Sequence, residues 1–233
     1  MKNPRTFVTT DTHGELDKLI SCLNQADFNY GLDTLIHLGD CVDRGPNSAG
    51  VVDLLLKIKH LIAIRGNHDS WMQQFIETGT HPAPSYFNET ANSYVKNLGG
   101  KLHPILVPQS HQAFFRTQRN YYIDAQNRLF IHAGCRLDER IEDQDSDEFY
   151  WNRDLMKKAM SAKASGLHLK DVNNFKQIFI GHTPTQNWKT GSERIGKPIY
   201  AAQVVDLDTG GAYGYKISLL DISTDEHVLY QDI

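Results

Sequence analysis

Cysteine, long apolar runs and excess charge are all scarce in this sequence. The three cysteines, Cys22, Cys41 and Cys135, are an odd number without the spacing of a zinc site, so we expect reduced thiols. No stretch approaches the roughly 18 consecutive apolar residues that a transmembrane helix needs. The formal net charge of −4 gives no sign of a nucleic-acid-binding face or a membrane-surface patch. We therefore expect neither a membrane nor a nucleic acid as a partner.

Internal repeats, low-complexity tracts and linkers are absent as well. The length of 233 residues, with 40% apolar and 22% charged residues, is typical of one ordinary globular domain spanning residues 1–233. The first five residues lead into a strand-like run without the apolar stretch of a signal peptide. Together with the unpaired cysteines, this start predicts a cytoplasmic protein.

A charged segment, Gly-Asp-Cys-Val-Asp-Arg-Gly at residues 39–45, directly follows the apolar, strand-like residues 35–38. Aspartate and arginine are rarely buried without partners. If this segment is buried, it needs a cation beside Asp40 and Asp43 and an anion beside Arg44. Taken alone, the segment is equally compatible with a surface turn that carries an ordinary Asp–Arg pair.

Four more strand-like runs end in polar side chains of the same kinds. They lie at residues 7–10, 61–64, 129–131 and 178–180, and they are followed by Asp11 and His13, by Asn67, by His132 and by His182. In open α/β folds, ligands bind outside the carboxyl ends of the strands. Because five such placements by chance are improbable, the sequence favours a shared metal site over unrelated surface turns.

The side chains at these strand ends define the metal chemistry. Carboxylates, imidazoles and one amide carbonyl, with no thiolate, favour Mn²⁺, Fe or Zn²⁺. Asp11, His13 and Asp40 can hold one ion, while a second ion takes Asp40, Asn67, His132 and His182, so that Asp40 is shared. Two metals about 3.5–4 Å apart can activate a bridging water and neutralise phosphoryl charge. The other histidines lack a strand-end position and are expected in the core or on the surface: His37, His60, His81, His103, His111, His168 and His227.

The remaining periodicity places helices and strands around this site. Apolar residues at helical spacing in residues 16–23 and 51–58 give a β-α-β-α-β pattern, which predicts parallel strands. Residues 70–120 are expected to form helices and loops over the site mouth. A hairpin is predicted at residues 121–131, and residues 215–230 alternate as antiparallel strands do.

Five motifs in order carry a family resemblance: Asp-x-His at 11–13, Gly-Asp-x-x-Asp-Arg-Gly at 39–45, Gly-Asn-His-Asp at 66–69, His-Ala-Gly at 132–134 and Gly-His-Thr at 181–183. The chain resembles the calcineurin-like metallophosphoesterases, and among them the phosphoprotein phosphatases, especially the small bacterial and bacteriophage serine/threonine phosphatases. The resemblance covers residues 7–222. It implies an α/β fold, a β-sandwich of two mixed sheets flanked by helices, with the metal site at the carboxyl ends of the strands.

The same resemblance implies an activity and its cofactors. It implies hydrolysis of phosphate monoesters on serine and threonine of phosphoproteins or phosphopeptides, with tyrosine as a further candidate, by direct attack of a metal-bridging water. Two divalent ions are implied, Mn²⁺ foremost, with Fe or Zn²⁺ as alternatives. The chain departs from the family pattern at Thr10, often glycine, and at Cys41, often aromatic, and neither change removes a ligand.

Roles for four further residues are carried over from the family. His68 resembles the proposed general acid and Asp43 its orienting carboxylate, while Arg44 and Arg153 resemble phosphate clamps and Asn67 also touches the phosphate. Physical chemistry agrees, because histidine can give a proton near neutral pH and a neighbouring carboxylate favours its protonated form. Guanidinium groups bind phosphate oxygens through two parallel hydrogen bonds.

Other functions compete with protein phosphatase. Symmetrical dinucleoside tetraphosphate hydrolases also resemble this chain and favour Gly-Pro after the arginine, as in Gly45-Pro46, but they tend to lack the equivalent of Asp43. The acidic net charge disfavours a metal-dependent nuclease. A non-enzymatic phosphoprotein-binding scaffold is disfavoured by the complete ligand set and by the His68–Asp43 pair. Residues 208–210, Asp-Thr-Gly, resemble a late landmark of the small phosphatases without an assigned role.

Overall fold

The strands of this protein have apolar side chains on both faces. A computed structural model describes residues 3–94, 101–188 and 195–233. Within these residues the strands form two five-stranded mixed sheets. Helices cover the outer faces of both sheets. The predicted β-sandwich of two mixed sheets flanked by helices is therefore confirmed. The single-domain extent over residues 1–233 stays a prediction.

The first sheet contains the predicted parallel strands and the carboxyl-terminal pair. Its spatial order is β10 (Val228–Gln231), β9 (Ser218–Asp221), β1 (Thr6–Thr9), β2 (Thr34–His37) and β3 (His60–Ala63). β1, β2 and β3 run parallel, whereas β9 is antiparallel to β1 and β10 is antiparallel to β9. The parallel β-α-β-α-β unit and the antiparallel tail both match the sequence prediction.

The second sheet contains the predicted hairpin at one edge. Its order is β4 (Tyr121–Ile123), β5 (Arg128–Ile131), β6 (Gln177–Ile180), β8 (Val204–Asp206) and β7 (Ile199–Ala201). The three central strands are parallel, and the two edge strands are antiparallel to their neighbours. The candidate ligands follow the carboxyl ends of the parallel strands in both sheets.

Side chains alternate between the space that separates the sheets and the helical layers. Val8 and Ile36 of the first sheet pack with Phe130 and Phe179 of the second, and the two phenylalanine rings stack 5.0 Å apart at 4°. Their chain neighbours point outward against helices: Phe7, Leu35, Leu129 and Ile178. Because both faces are buried, these strands have continuous apolar runs rather than alternating ones.

The helices, in chain order, are α1 (Leu16–Gln25), α2 (Ser48–Leu55), α3 (Asn67–Thr78), α4 (Pro84–Tyr94), α5 (Gln109–Thr117), α6 (Ser146–Trp151) and α7 (Asp154–Ala164). The first five pack against the first sheet, and the last two pack against the second. Among the described residues, none of the helices has both the length and the apolar character needed to cross a membrane.

Residues 70–120, which were predicted to cover the site mouth, lie in two different places. Helix α4 brings Tyr86 to the cavity described below. Helix α5 instead buries Phe114 and Phe115 in the core beside the first sheet. Residues 95–100 of this region, like residues 1–2, lie outside the described residues.

The stacked rings between the sheets give a stability prediction. Phe130 is fully buried, so Phe130→Ala should lower the free energy of unfolding by about 3–5 kcal/mol through lost burial and a residual cavity. Urea unfolding followed by circular dichroism measures this change. Leu167→Ala is the control, because Leu167 is 64% exposed and its loss should stay within about 0.5 kcal/mol. Equal effects of the two substitutions would contradict the described core.

Candidate active site

The carboxyl ends of strands from both sheets meet at one place and bring the predicted metal ligands together. Asp11 and His13 follow β1, Asp40 follows β2, Asn67 begins α3, His132 follows β5 and His182 follows β6. The backbone N–H of His182 donates a 2.8 Å hydrogen bond to Oδ2 of Asp11, which joins the two sheets at this point. Residues that lie up to 171 positions apart in the chain thus share one site.

Asp40 lies at the centre of the cluster. Its Oδ2 is 3.6 Å from Nε2 of His13 and 3.5 Å from Nε2 of His132, while its Oδ1 accepts a 2.9 Å hydrogen bond from the backbone of His68. Burial, followed by the charges of Asp11 and Asp69, raises the pKa of Asp40 well above its usual value. A cation beside this carboxylate would offset the unfavourable burial and repulsion.

His13 belongs to the first candidate metal group. Its Nδ1–H donates to the carbonyl oxygen of Val42 at 2.6 Å, which leaves the Nε2 lone pair pointing towards Oδ2 of Asp40 and, at 3.8 Å, Oδ1 of Asp11. Burial, and then the neighbouring His68, lowers the pKa of His13. A neutral imidazole whose lone pair faces two carboxylates is repelled by them unless a cation lies between them, so this geometry fits a metal.

The second candidate group converges on the side-chain oxygen of Asn67. His132 Nε2 lies 3.1 Å from Asn67 Oδ1, and His182 Nδ1 lies 3.0 Å from the same atom. His132 uses its other ring nitrogen to donate to the carbonyl of Leu38 at 2.9 Å. Burial is the main cause that lowers the pKa values of His132 and His182. Neutral imidazoles beside an amide oxygen and the shared Asp40 form a nitrogen and oxygen ligand set for a divalent ion.

The backbone at these positions is strained. Six candidate residues adopt positive φ angles: Asp11 (47°), His13 (40°), Asp40 (57°), Asp43 (68°), Arg44 (65°) and His182 (71°). Such angles are uncommon outside glycine and persist only where the surrounding structure holds them. Glycine is required beside them at residue 66, where a Cβ would lie 2.1 Å from Oδ1 of Asp40. These backbone conformations lower the folding stability, and they direct the candidate side chains into the site.

Asp69 holds this strained backbone in place, a role that the sequence analysis did not assign. Its carboxylate accepts hydrogen bonds from the backbone of Asp40 (2.8 Å), Cys41 (3.0 Å) and Gly66 (3.1 Å), and from the side chain of Gln118 (3.0 Å). One buried carboxylate therefore fixes the loop after β2 to the start of α3. The position of Asp69 in the Gly-Asn-His-Asp motif was the feature of the sequence that could have pointed to this role.

His68 forms a hydrogen-bonded chain with Asp43 and Thr90. The ring Nδ1–H donates to Oδ2 of Asp43 at 2.6 Å, and the hydroxyl of Thr90 donates to the other carboxylate oxygen. Nη2 of Arg44 donates to Nε2 of His68 at 3.2 Å. His68 also lies within ligand distance of His13 and Asp40, yet both of its ring nitrogens are engaged by other side chains. Thr90 comes from α4, and no local pattern pointed to it.

The metal-ligand groups open into a small cavity of about 170 Å³ that contains both predicted arginines. Arg44 donates through Nη1 to the hydroxyl of Tyr213, while its buried Nε has no hydrogen-bond partner among the described residues. Nε of Arg153 donates to the hydroxyl of Thr183 at 3.1 Å. A wider cleft of about 920 Å³ continues past Arg153. Two guanidinium groups beside a metal-ligand cluster form a site suited to an anion such as phosphate.

Asp208, from the landmark without an assigned role, lines the same cavity. Its Oδ1 accepts a 3.0 Å hydrogen bond from the backbone of Gly210. Burial, and then the charges of Asp11 and Asp206, raises its pKa well above the usual value. The cavity wall therefore carries one more buried carboxyl group than the sequence analysis included.

The histidines expected to be structural lie outside the two metal-ligand groups that the described residues form. His37 is fully buried, with Nδ1 accepting from the backbone of Gly39 at 3.2 Å and Nε2 2.9 Å from the hydroxyl of Thr12. Cys41 is also buried, and its thiol donates to Asp69 at 3.1 Å. Burial raises the pKa of this thiol, which suits a packed and unreactive side chain.

Comparisons with known proteins agree on the family and differ on the substrate. A family model described as calcineurin-like phosphoesterase matches residues 4–207. A symmetrical bis(5'-nucleosyl)-tetraphosphatase of Coxiella burnetii is 24% identical over an alignment of 269 positions, which covers 97% of this chain and 91% of that protein. Serine/threonine-protein phosphatase 1 of Salmonella typhimurium is 23% identical over 221 residues, covering 93% and 91%. A crystal structure provisionally assigned as a diadenosine tetraphosphatase has a similar fold, with a TM-score of 0.68, 20% identity, and coverage of 99% and 95%.

The shared position of Asp40 gives a prediction about metal binding. Asp40→Asn should at least halve the Mn²⁺ bound per chain, because this carboxylate borders both ligand groups. Elemental analysis after chelation, reloading and dialysis measures the content. Asp225→Asn, a substitution at a 94% exposed aspartate, should keep the wild-type content. Two tightly held ions in Asp40→Asn would show that the carboxylate is not shared.

Proposed function

The chain belongs to the calcineurin-like phosphoesterase family, and we propose that within it the chain is a metal-dependent protein phosphatase acting on serine and threonine phosphate monoesters. The chain is similar both to the Coxiella burnetii tetraphosphatase and to the Salmonella typhimurium protein phosphatase. The observation that carries the finer proposal is the 2.6 Å hydrogen bond between His68 and Asp43 beside the two metal-ligand groups. That pair suits the departure of a poor leaving group, which serine and threonine phosphates have.

The residues of the two metal-ligand groups would hold the metal ions of the site. We propose that one ion is held by Asp11, His13 and Asp40, and the second by Asp40, Asn67, His132 and His182. Bound there, divalent ions would lower the pKa of water and neutralise charge on a phosphoryl group. Mn²⁺ is the proposed metal, with Fe or Zn²⁺ as alternatives, because each accepts carboxylate, imidazole and carbonyl ligands.

The arginines would bind the phosphate. Arg44 reaches the cavity from the loop after β2, and Arg153 reaches it from between α6 and α7. Nε of Arg44, which has no partner in the described part of the chain, remains a donor for an incoming oxygen. Guanidinium groups are suited to two-point binding of phosphate oxygens. Asn67 lines the same cavity and would touch the phosphate as well as the metal.

His68 would complete the reaction at the leaving oxygen. A water oxygen bonds to phosphorus and loses one proton to the solvent, the phosphorus–oxygen ester bond breaks, and the leaving oxygen takes the proton from protonated His68. The solvent then returns a proton to the imidazole, so that the reaction consumes one water and releases the alcohol and phosphate. Asp43 stabilises the imidazolium that gives this proton and fixes the ring through the 2.6 Å contact. The proton would leave from Nε2, the ring nitrogen that does not contact Asp43. Because Nη2 of Arg44 donates to Nε2 in this structure, the phosphate would have to replace the ring as the acceptor for Arg44.

Symmetrical dinucleoside tetraphosphate hydrolysis is the second candidate. The Coxiella burnetii relative with that name aligns with 97% of this chain, and Gly45-Pro46 follows the arginine as in that family. Asp43 is the feature that favours the phosphatase, because the tetraphosphatases tend to lack it and here it is hydrogen bonded to His68.

A direct comparison of substrates separates these two functions. With Mn²⁺, the kcat/KM for phosphate release from a phosphoserine peptide should exceed that for cleavage of diadenosine tetraphosphate to ADP by at least about 10-fold, a difference of about 1.4 kcal/mol in transition-state binding. Phosphate release and ADP formation are both measured by chromatography. A tetraphosphate preference of similar size would make the second candidate the function.

The general-acid role has its own test. His68→Asn should lower kcat on a phosphoserine peptide by about 10²–10⁴-fold, and much less on p-nitrophenyl phosphate, because p-nitrophenolate departs without a proton. Asp43→Asn should show the same pattern more mildly. Steady-state rates on both substrates and the Mn²⁺ content of each variant are the measurements.

His168→Asn is the matched control for this experiment, because His168 is exposed on the surface away from the site. It should retain wild-type rates on both substrates. Lost metal in His68→Asn, or an equal loss of rate on the two substrates, would remove the general-acid assignment and make His68 a ligand or a packing residue.

A further inference from the structure

Helix α4 presents a buried face of small side chains to the loop after β2. Thr90, Ala91 and Ser93 are the buried residues of this helix, and Thr90 is fully buried. Because none of the three is larger than threonine, the helix backbone can come close to the loop that contains Asp43. Thr90 and Ser93 lie outside the lining of the cavity, so neither is placed to touch a substrate.

Two hydrogen bonds from this face of α4 hold Asp43. The hydroxyl of Thr90 donates to Oδ1 of Asp43. The hydroxyl of Ser93 donates to that of Ser48, which also accepts a 3.0 Å hydrogen bond from the backbone N–H of Asp43. The helix thus holds both the carboxylate and the backbone of a residue whose φ angle is 68°, a conformation that persists only where the surrounding structure supports it.

The hydroxyl of Thr90 has one proton and two acceptors nearby. It lies 3.3 Å from the carbonyl oxygen of Tyr86, the ordinary acceptor for a helical threonine, and closer to Oδ1 of Asp43. The charged carboxylate is the stronger acceptor. Oδ2 of the same carboxylate accepts from Nδ1 of His68, so the carboxylate cannot rotate without breaking one of its two hydrogen bonds.

We propose that Thr90 is a positioning residue for the general acid: its hydroxyl fixes the plane of the Asp43 carboxylate, which in turn fixes the ring of His68. The proposal rests on the proposed function, in which His68 gives the proton to the leaving oxygen. Without the hydroxyl, Oδ1 of the fully buried Asp43 would lose its donor, which is unfavourable. The carboxylate would turn, and the imidazole would follow it away from the leaving oxygen.

Thr90→Val removes the hydroxyl and nearly keeps the side-chain volume. It should lower kcat on a phosphoserine peptide by about 5- to 50-fold, and kcat on p-nitrophenyl phosphate by less than about 2-fold. KM and the Mn²⁺ content should stay within about 2-fold of wild type, because Thr90 touches neither substrate nor metal ligand. Thr90→Ala should show the same ratio between the substrates, and Thr90→Ser, which restores the donor, should recover at least about half of the wild-type kcat.

Two further variants separate this role from the anchoring of a helix. Thr117→Val is the matched control, because the hydroxyl of Thr117 also donates within its helix, to the carbonyl of Ala113 at 3.0 Å, and should keep wild-type rates. Ser93→Ala loosens α4 but leaves both carboxylate oxygens of Asp43 partnered, so any loss should be equal on the two substrates. A loss confined to the phosphoserine peptide in Ser93→Ala would mean that Thr90 only anchors the helix.

A double-mutant cycle tests whether Thr90 acts through Asp43. In the Asp43→Ala background, Thr90→Val should lower kcat on the phosphoserine peptide by less than about 2-fold, because the carboxylate that Thr90 holds is no longer present. Independent, multiplying losses of the two substitutions would contradict the proposal.

A measurement without turnover keeps this proposal separate from the proposed function. In the Zn²⁺-loaded protein, which is diamagnetic, proton NMR should detect Nδ1–H of His68 as a downfield signal that His68→Asn abolishes. Thr90→Val should move this signal upfield as the 2.6 Å hydrogen bond lengthens, and Thr117→Val should leave it in place. An unchanged signal in Thr90→Val, or an equal loss of kcat on the two substrates, would overturn the positioning role. A shifted signal in a protein that does not hydrolyse the phosphoserine peptide would support that role and count against protein phosphatase activity.

Discussion

The structure depends on one electrostatic constraint, the burial of carboxylates and neutral imidazoles where two sheets meet. Asp40 shows it most clearly, because its Oδ2 lies within 3.6 Å of imidazole nitrogens from both ligand groups while burial and nearby aspartates raise its pKa. Such a cluster is unfavourable without positive charge. Divalent ions held by these residues would relieve it, and they would supply the positive charge that phosphoryl transfer requires.

Holding that cluster requires a rigid frame. The strands are buried on both faces, and Phe130 and Phe179, which stack on neighbouring strands of the second sheet, pack against Val8 and Ile36 of the first. Positive φ angles at candidate ligands are then held by contacts that do not themselves reach a metal, such as those of Asp69 with the backbone of Asp40 and Cys41. Strain at the site is therefore balanced by packing and hydrogen bonds elsewhere.

Helices α3 and α4 give the site its asymmetry. The strand ends provide the metal-ligand groups, whereas these helices provide Trp71, Tyr86 and Thr90 around His68 and Asp43. The side of the cavity with Arg44 and Arg153 is charged, and the side with Trp71 and Tyr86 is aromatic. The metal-ligand groups and the aromatic side therefore come from different parts of the fold.

The sequence by itself determined the parallel strands and the ligand types, because each of these depends on short-range patterns of apolar runs followed by polar residues. The fold class of two mixed sheets came from the family resemblance. The sequence also placed Arg44 and Arg153 in one site through the family resemblance. Only the tertiary structure decided that Thr90 reaches Asp43, and that Trp71 and Trp151 pack together from positions 80 residues apart. Those contacts depend on how distant segments pack, and the spacing of residues within one segment does not predict which other segments will lie beside it.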